Sequence, residues 1–237
     1  MNNNNRLSLS CKECEIQNIS IFHYLSQDDI DRISNKKVTT IYKKGQLIFY
    51  ERNYPNGIYC IQIGKVKVYK IGASGKEQIV RLASTGDVLG YRALIADEPY
   101  TASGETLETS RVCFIPKHIF YELLENNLKF NRTMLRLLSN DLKIAERKIT
   151  NLAYKQVKER LAGAILFLKE KYGLEEDNAT LNLSMTRDDL ANLVGTATES
   201  VIRYLQEMKN EKIITLNKRK IKILNQNALM KVANIYE

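Results

Sequence analysis

Histidine is scarce: the 237 residues hold only His23 and His118. A metalloenzyme built on a β-roll needs two or three clustered imidazoles with a carboxylate, so that class is set aside. No Ser/His/Asp or Cys/His arrangement offers a nucleophile. No glycine loop cradles a phosphate either, because GASGKE at residues 72–77 lacks the helix that would have to follow it. The chain therefore reads as a non-enzyme. Cysteine is also sparse. Cys11, Cys14, Cys60 and Cys113 are spread too unevenly for a disulfide framework and are read as free thiols or ligands. No apolar run approaches the ~18 residues of a membrane span. The opening MNNNNRLSLS has neither an apolar segment nor a small-residue cleavage site, so the expected location is the cytoplasm, and apart from its asparagines no low-complexity tract interrupts the chain.

Positive charge, by contrast, is in excess. Lys and Arg number 36 against 27 Asp and Glu, a net +9, which favours an anionic partner. Net charge by itself does not separate nucleic acid from an anionic membrane surface. The length accommodates two cores. Residues 1–127 are expected to form a sensor domain, 128–153 a long helix and 154–237 a second globular domain.

From residue 36 to 116 short alternating segments are punctuated by Gly45, Gly57, Gly64, Gly72, Gly75, Gly86, Gly90 and Gly104. That spacing predicts an antiparallel β-roll of jelly-roll type. KVKVYKI (65–71) and EQIVRL (77–82) form a hairpin in this reading, and Ile30 and Ile33 mark a short helical lead-in. The fold class is α+β. After Pro116 the period becomes helical. Leu135, Leu138, Leu142, Ala145, Ile149 and Leu152 are spaced 3, 4, 3, 4, 3, a heptad seam. The seam packs either on the chain's own roll or on a partner helix. Arg136, Lys143, Arg147 and Lys148 charge the other faces, which favours a second copy and hence a homodimer.

The segment TRDDLANLVGTATESVIR (186–203) predicts two helices crossing at a tight turn. Leu190, Leu193 and Val194 should be buried on the first, with Ala191 small enough for close crossing and Gly195 at the turn. Thr196 is expected to cap the second helix in a box with Glu199, and Val201, Leu205 and Met208 to face inward. Thr198, Glu199, Ile202, Arg203 and Gln206 then remain outward and could enter a major groove. Arg203 matches guanine O6 and N7, Glu199 could accept from a cytosine amino group, and Thr198 and Ser200 suit phosphate or thymine methyl. The bland alternative makes Glu199 a cap and Arg203 a solvated charge. IITLNKRKIKIL follows as two β-rich stretches around Lys218, Arg219 and Lys220, a basic wing. Between Thr196 and Lys231, eight Lys and Arg face three Glu, a surplus suited to displacing counterions from duplex DNA.

Roll, long helix and winged helix-turn-helix, in that order, resemble the Crp/Fnr family of bacterial transcription regulators over nearly the whole chain. The glycine turns at Gly64 and in GDVLG (86–90) are similar to the family's, and LVGTATESVIRYL (193–205) is similar to its recognition segment, with Glu199 and Arg203 at the base-reading positions. Thr198 stands where cyclic-AMP-responsive members carry another arginine, implying a different preference at that base pair. In GYRALIADEPYTAS (90–103), Tyr91 replaces the ribose-binding glutamate, and Tyr100 and Thr101 replace the arginine and serine that clamp the cyclic phosphate. Ala145 and Glu146 stand where hydroxyl residues would meet the adenine. The resemblance thus places an effector pocket at Gly90, Tyr91, Arg92, Tyr100 and Thr101 and argues against cyclic AMP as its ligand. Arg92 is read as a surface charge or as a contact to some other acidic ligand. The oxygen-sensing branch holds an iron–sulphur cluster on N-terminal cysteines and one in the roll. Cys11 and Cys14, and Cys113 in RVCFIP, match that pattern, while the third N-terminal ligand falls on Ser20 and Cys60 is expected to be a small strand residue. Cluster, thiol switch and inert thiols stay open as readings. The family also implies RNA polymerase as a partner.

Overall fold

Ser26 and Asp29 exchange side-chain and backbone hydrogen bonds in a capping box that starts the first helix, α1 (Gln27–Lys36). This computed structural model describes Cys11, Cys14 and residues 20–235, and the opening asparagine run lies outside them. Eight strands follow α1 in an antiparallel roll: β1 (Val38–Tyr42), β2 (Leu47–Phe49), β3 (Gly57–Ile63), β4 (Lys65–Ile71), β5 (Glu77–Ser84), β6 (Val88–Leu89), β7 (Ser103–Thr106) and β8 (Ser110–Pro116). One sheet has the order β1-β8-β3-β6 and the other β2-β7-β4-β5. The β4–β5 hairpin closes as expected, Gly72 N–H donating to the Lys76 carbonyl at 2.8 Å.

Alternation along the strands sorts the side chains into two cores. Ile61 of β3 and Val112 of β8 join Phe49, Val66, Val68 and Leu89 in one. Ile58 and Cys60 of β3, with Cys113 and Ile115 of β8, join Ile30 and Ile33 of α1 in the other. That second core is completed by Ile119, Phe120 and Leu123 of α3 (Lys117–Asn126) and by Phe130 and Met134 of α4 (Leu128–Tyr154). Gly64 is fixed by geometry: its φ is +125°, and an added Cβ would sit 2.1 Å from the Ser110 hydroxyl.

The chain divides into two compact units, residues 1–70 with 80–142 and residues 71–79 with 143–237. In the second, Leu161, Ala162, Ile165 and Leu168 of α5 (Val157–Tyr172) form a buried spine. Around it lie α6 (Arg187–Val194), α7 (Thr198–Asn210), the hairpin β9 (Ile214–Asn217) with β10 (Lys220–Ile223), and α8 (Gln226–Val232). This is a winged helix-turn-helix.

Candidate nucleic-acid interface

The helix pair is set by a cap and a turn. Thr186 N-caps α6: its hydroxyl accepts from the Asp189 N–H at 2.9 Å, and the Asp189 carboxylate accepts from the Thr186 N–H at 3.2 Å. Gly195 ends the helix at φ +73°, and the N–H groups of both Gly195 and Thr196 donate to the Ala191 carbonyl, at 2.8 and 3.1 Å. This overturns the expected box between Thr196 and Glu199. The Thr196 N–H is spent on the end of α6, so α7 begins two residues later with Ala197 as a cap that makes no side-chain bond. The first helix buries Leu190, Ala191 and Val194, while Leu193 is only half-buried.

Helix α7 buries Val201, Leu205 and Met208 completely. Glu199, Ile202, Arg203 and Gln206 are exposed, and Thr198 and Ser200 are half-buried. Arg203 lies 4.6 Å from the Tyr204 ring centroid and 4.0 Å from Glu207, contacts that hold the guanidinium loosely. The Thr198 hydroxyl donates to Asp188 at 2.6 Å, so it ties α7 to α6 rather than standing free for a phosphate. Gln206 donates to Asn210 at 2.9 Å. At the wing tip Lys218 has φ +53°, and Lys218 and Arg219 are exposed. Lys220 has a protein partner instead, Glu175 at 2.6 Å.

Two arginines that the sequence reading passed over position these parts. Arg160 of α5 donates to the carbonyls of Val194, Gly195 and Lys155 at 3.0, 3.2 and 2.7 Å, satisfying the end of α6. Arg187 reaches the Lys218 carbonyl at 3.0 Å and pins the wing. Arg160 stands in the first turn of α5, 34 residues before Val194, so no local pattern links it to the end of α6. Nothing local marks Arg187 as a wing contact.

On α4, Leu135, Leu142, Ile149 and Leu152 are exposed, as is Ala145, whereas Leu138 packs partly against the roll's second core. An added Cβ on Gly195 would meet Leu152 at 3.0 Å.

In the roll, Gly90 takes φ +85° and opens α2 (Tyr91–Ile95). Tyr91 is 1 % exposed. Its hydroxyl donates to Asp141 and accepts from Arg81 at 3.1 Å, while Arg81 and Asp141 meet at 3.5 Å. Burial pushes the Tyr91 hydroxyl well above its ordinary value despite the Arg81 guanidinium, and Asp141 adds to the rise. Tyr91 is thus packed in a bonded triad rather than set on an open wall. Arg92 and Thr101 are exposed, whereas Gly90 lies against Tyr100, whose ring an added Cβ would meet at 3.4 Å. Tyr100 lines a cleft of about 460 Å³ whose walls include Tyr42, Phe49, Tyr59 and Phe114 and no charged side chain.

The four cysteines do converge. Cys60 and Cys113 are directly opposed across β3 and β8, and both line a small cavity of about 40 Å³ together with Cys11, Cys14, Ser20 and Lys37. Burial, and then the neighbouring thiols, raise the Cys60 thiol well above its ordinary value, with Lys37 opposing. Cys60 is a small strand residue, as expected, but one that the pairing of β3 with β8 brings to the same cavity as the others.

Residues 39–127 match the family described as cyclic nucleotide-binding domain, and residues 159–232 the Crp-like helix-turn-helix domain. The chain is 30 % identical over 232 residues to the fumarate and nitrate reduction regulatory protein of Vibrio cholerae, covering 96 % of this chain and 92 % of that one. It is 30 % identical over 228 residues to the anaerobic regulatory protein of Haemophilus influenzae, covering 95 % and 88 %. A CRP/FNR family transcriptional regulator of Thermus thermophilus aligns in structure with a TM-score of 0.71 at 26 % identity, over 83 % of this chain and 98 % of that one. With both domains matched in order and relatives spanning nearly its full length, the chain belongs to the Crp/Fnr family of transcription regulators.

Proposed function

We propose that the chain works as a homodimer that reads a two-fold symmetric site in duplex DNA with Arg203 and Glu199, and that the wing residues Lys218 and Arg219 add phosphate contacts. Crp/Fnr regulators bind DNA as dimers. The observation that carries the reading is the face of α7, where a fully buried stripe of Val201, Leu205 and Met208 leaves Glu199, Ile202 and Arg203 exposed together. With the capping box absent, Glu199 is released from the local role that competed with base contact. RNA polymerase is the proposed protein partner, and the cytoplasm the proposed location. Among the described residues no helix is long and apolar enough to cross a membrane.

The effector is proposed to be something other than cyclic AMP. Tyr91 is committed to Arg81 and Asp141, and the open cleft beside Tyr100 offers no charge to a phosphate. A second reading is favoured by the four thiols on one cavity wall: the roll senses redox state, in keeping with relatives named as anaerobic regulators.

Arg203→Ala tests the DNA reading. It should cost about 1–3 kcal/mol at the cognate site and leave nonspecific binding nearly unchanged, measured by fluorescence anisotropy over a salt series. Equal losses on cognate and random duplex would remove Arg203 as a base reader.

A further inference from the structure

Helix α7 presents one side chain that no hydrogen-bonding role explains. Among its described residues, the exposed ones are Glu199, Ile202, Arg203, Gln206, Lys209 and Asn210. Ile202 alone of these is apolar, and it is 52 % exposed. A single exposed apolar residue is ordinary on a protein surface, but this one stands inside a face otherwise made of hydrogen-bonding groups. At about 3.6 residues per turn, Ile202, Gln206, Glu199 and Arg203 occupy an arc of about 100° turned away from the buried stripe of Val201, Leu205 and Met208. Ile202 lies one turn on from Thr198, whose hydroxyl donates to Asp188 of α6 at 2.6 Å. It therefore takes the edge of the face nearest α6, and Arg203 takes the other edge.

We infer that Ile202 is a specificity residue that packs on the C5 methyl group of a thymine in the major groove, in the same half-site as the guanine assigned to Arg203. The inference rests on the DNA-reading role of α7 and adds a base to it. Thymine is the base that carries an apolar group on its major-groove edge, while the other edges present donors and acceptors. A branched aliphatic side chain has no hydrogen bond to offer them. What it gains in the groove is apolar surface buried against a methyl. The residues expected from the sequence to make this contact are otherwise placed. Thr198 is half-buried and tied to Asp188, and Ser200 is half-buried and carries no methyl. Gln206, between Ile202 and Glu199 on the arc, donates to Asn210 at 2.9 Å. Ile202 and Arg203 are consecutive and offset by about 100° around the axis, so their side chains diverge and address different bases. A protein partner seated on Ile202 would cover Glu199 and Arg203 as well, and would take the reading face out of use.

The experiment removes the methyl and nothing else. The full-length protein first selects its site from a pool of random duplexes. Each thymine of one half-site is then replaced in turn by uracil, which pairs in the same way and lacks the C5 methyl. Affinities of wild type, Ile202→Ala, Ile202→Val and Arg203→Ala are measured by fluorescence anisotropy at a fixed salt concentration. Ile202 lies outside the buried stripe, so its variants should keep the wild-type far-ultraviolet circular dichroism. For wild type, uracil at one position should weaken binding about fourfold, the worth of burying one methyl-sized group. Ile202→Ala should bind the thymine and uracil duplexes alike at that position while keeping the guanine preference, and Ile202→Val should retain part of the discrimination. Arg203→Ala should show the converse, losing the guanine preference and keeping the uracil penalty. No uracil penalty in wild type, or an equal penalty in Ile202→Ala, overturns the assignment of Ile202, and a guanine preference that still depends on Arg203 would show that this assignment alone had failed. Selection of no sequence from the pool would sink the DNA reading and the thymine contact with it.

Discussion

Thr186 and Thr196 pose the same local problem with different outcomes. Each is followed three residues later by an acid, TRDD and TATE, so each satisfies the capping-box pattern. Only Thr186 forms the box. The deciding residue is Gly195, whose left-handed conformation turns the Thr196 N–H back onto the Ala191 carbonyl. Thr186→Ala should therefore destabilise the protein by about 1 kcal/mol, while Thr196→Ala should change its urea midpoint by much less. Equal losses would contradict the assignment of the cap. The sequence pattern was legible here, but the choice between two matching patterns depended on how one helix ends. Arg81, Tyr91 and Asp141 show a stronger limit. The substitution of tyrosine for the family's glutamate could be read directly, but Asp141 lies 50 residues from Tyr91, and no local signal announces their hydrogen bond.

Elements were legible where their signals are local. The alternating, glycine-marked strands of the roll and the helical stripe of Val201, Leu205 and Met208 are properties of short windows, and both are present. Contacts joining elements were not. Asp177 illustrates this in the turn between α5 and α6. Its carboxylate accepts from the Thr180 N–H at 2.8 Å, the Thr180 hydroxyl at 2.7 Å and the Ala179 N–H at 3.1 Å, and it pairs with Lys222 of β10 at 3.1 Å. The Thr180 backbone bond, followed by its hydroxyl, holds the acid well below the usual aspartate range. Folding therefore favours the ionised form. The resulting stability is fully present above the unfolded value of about 3.9 and is lost as pH falls through the folded value. Asp177→Asn mimics the protonated acid, so its stability deficit relative to wild type should be largest near neutrality and shrink in acid. Denaturant unfolding of the two proteins between neutral pH and pH ~3 checks the sign, and a gap that widens on acidification would refute it.

At the scale of the whole molecule the question is what covers α4. Leu135, Leu142 and Ile149 are 59 %, 61 % and 68 % exposed, and they recur at the heptad spacing that presents one stripe to a facing helix. Leu138, between them, leans partly into its own roll, so the seam is not wholly external. A monomer would leave these three side chains in water, while in the proposed homodimer a second copy related by a two-fold axis would bury each stripe against its equivalent. Two recognition helices about 34 Å apart would then fit successive major grooves of a palindromic site. Leu142→Asp with Ile149→Asp should convert the dimer to a monomer in analytical ultracentrifugation. Both positions are exposed in the single chain, so the far-ultraviolet circular dichroism should be preserved. Because two heads on one duplex gain avidity that a single head lacks, affinity for a two-fold site should fall by at least about 100-fold, toward that for a half-site. A variant that remains dimeric, or one that is monomeric yet binds the two-fold site as tightly as wild type, would show that α4 is not the element through which the copies cooperate.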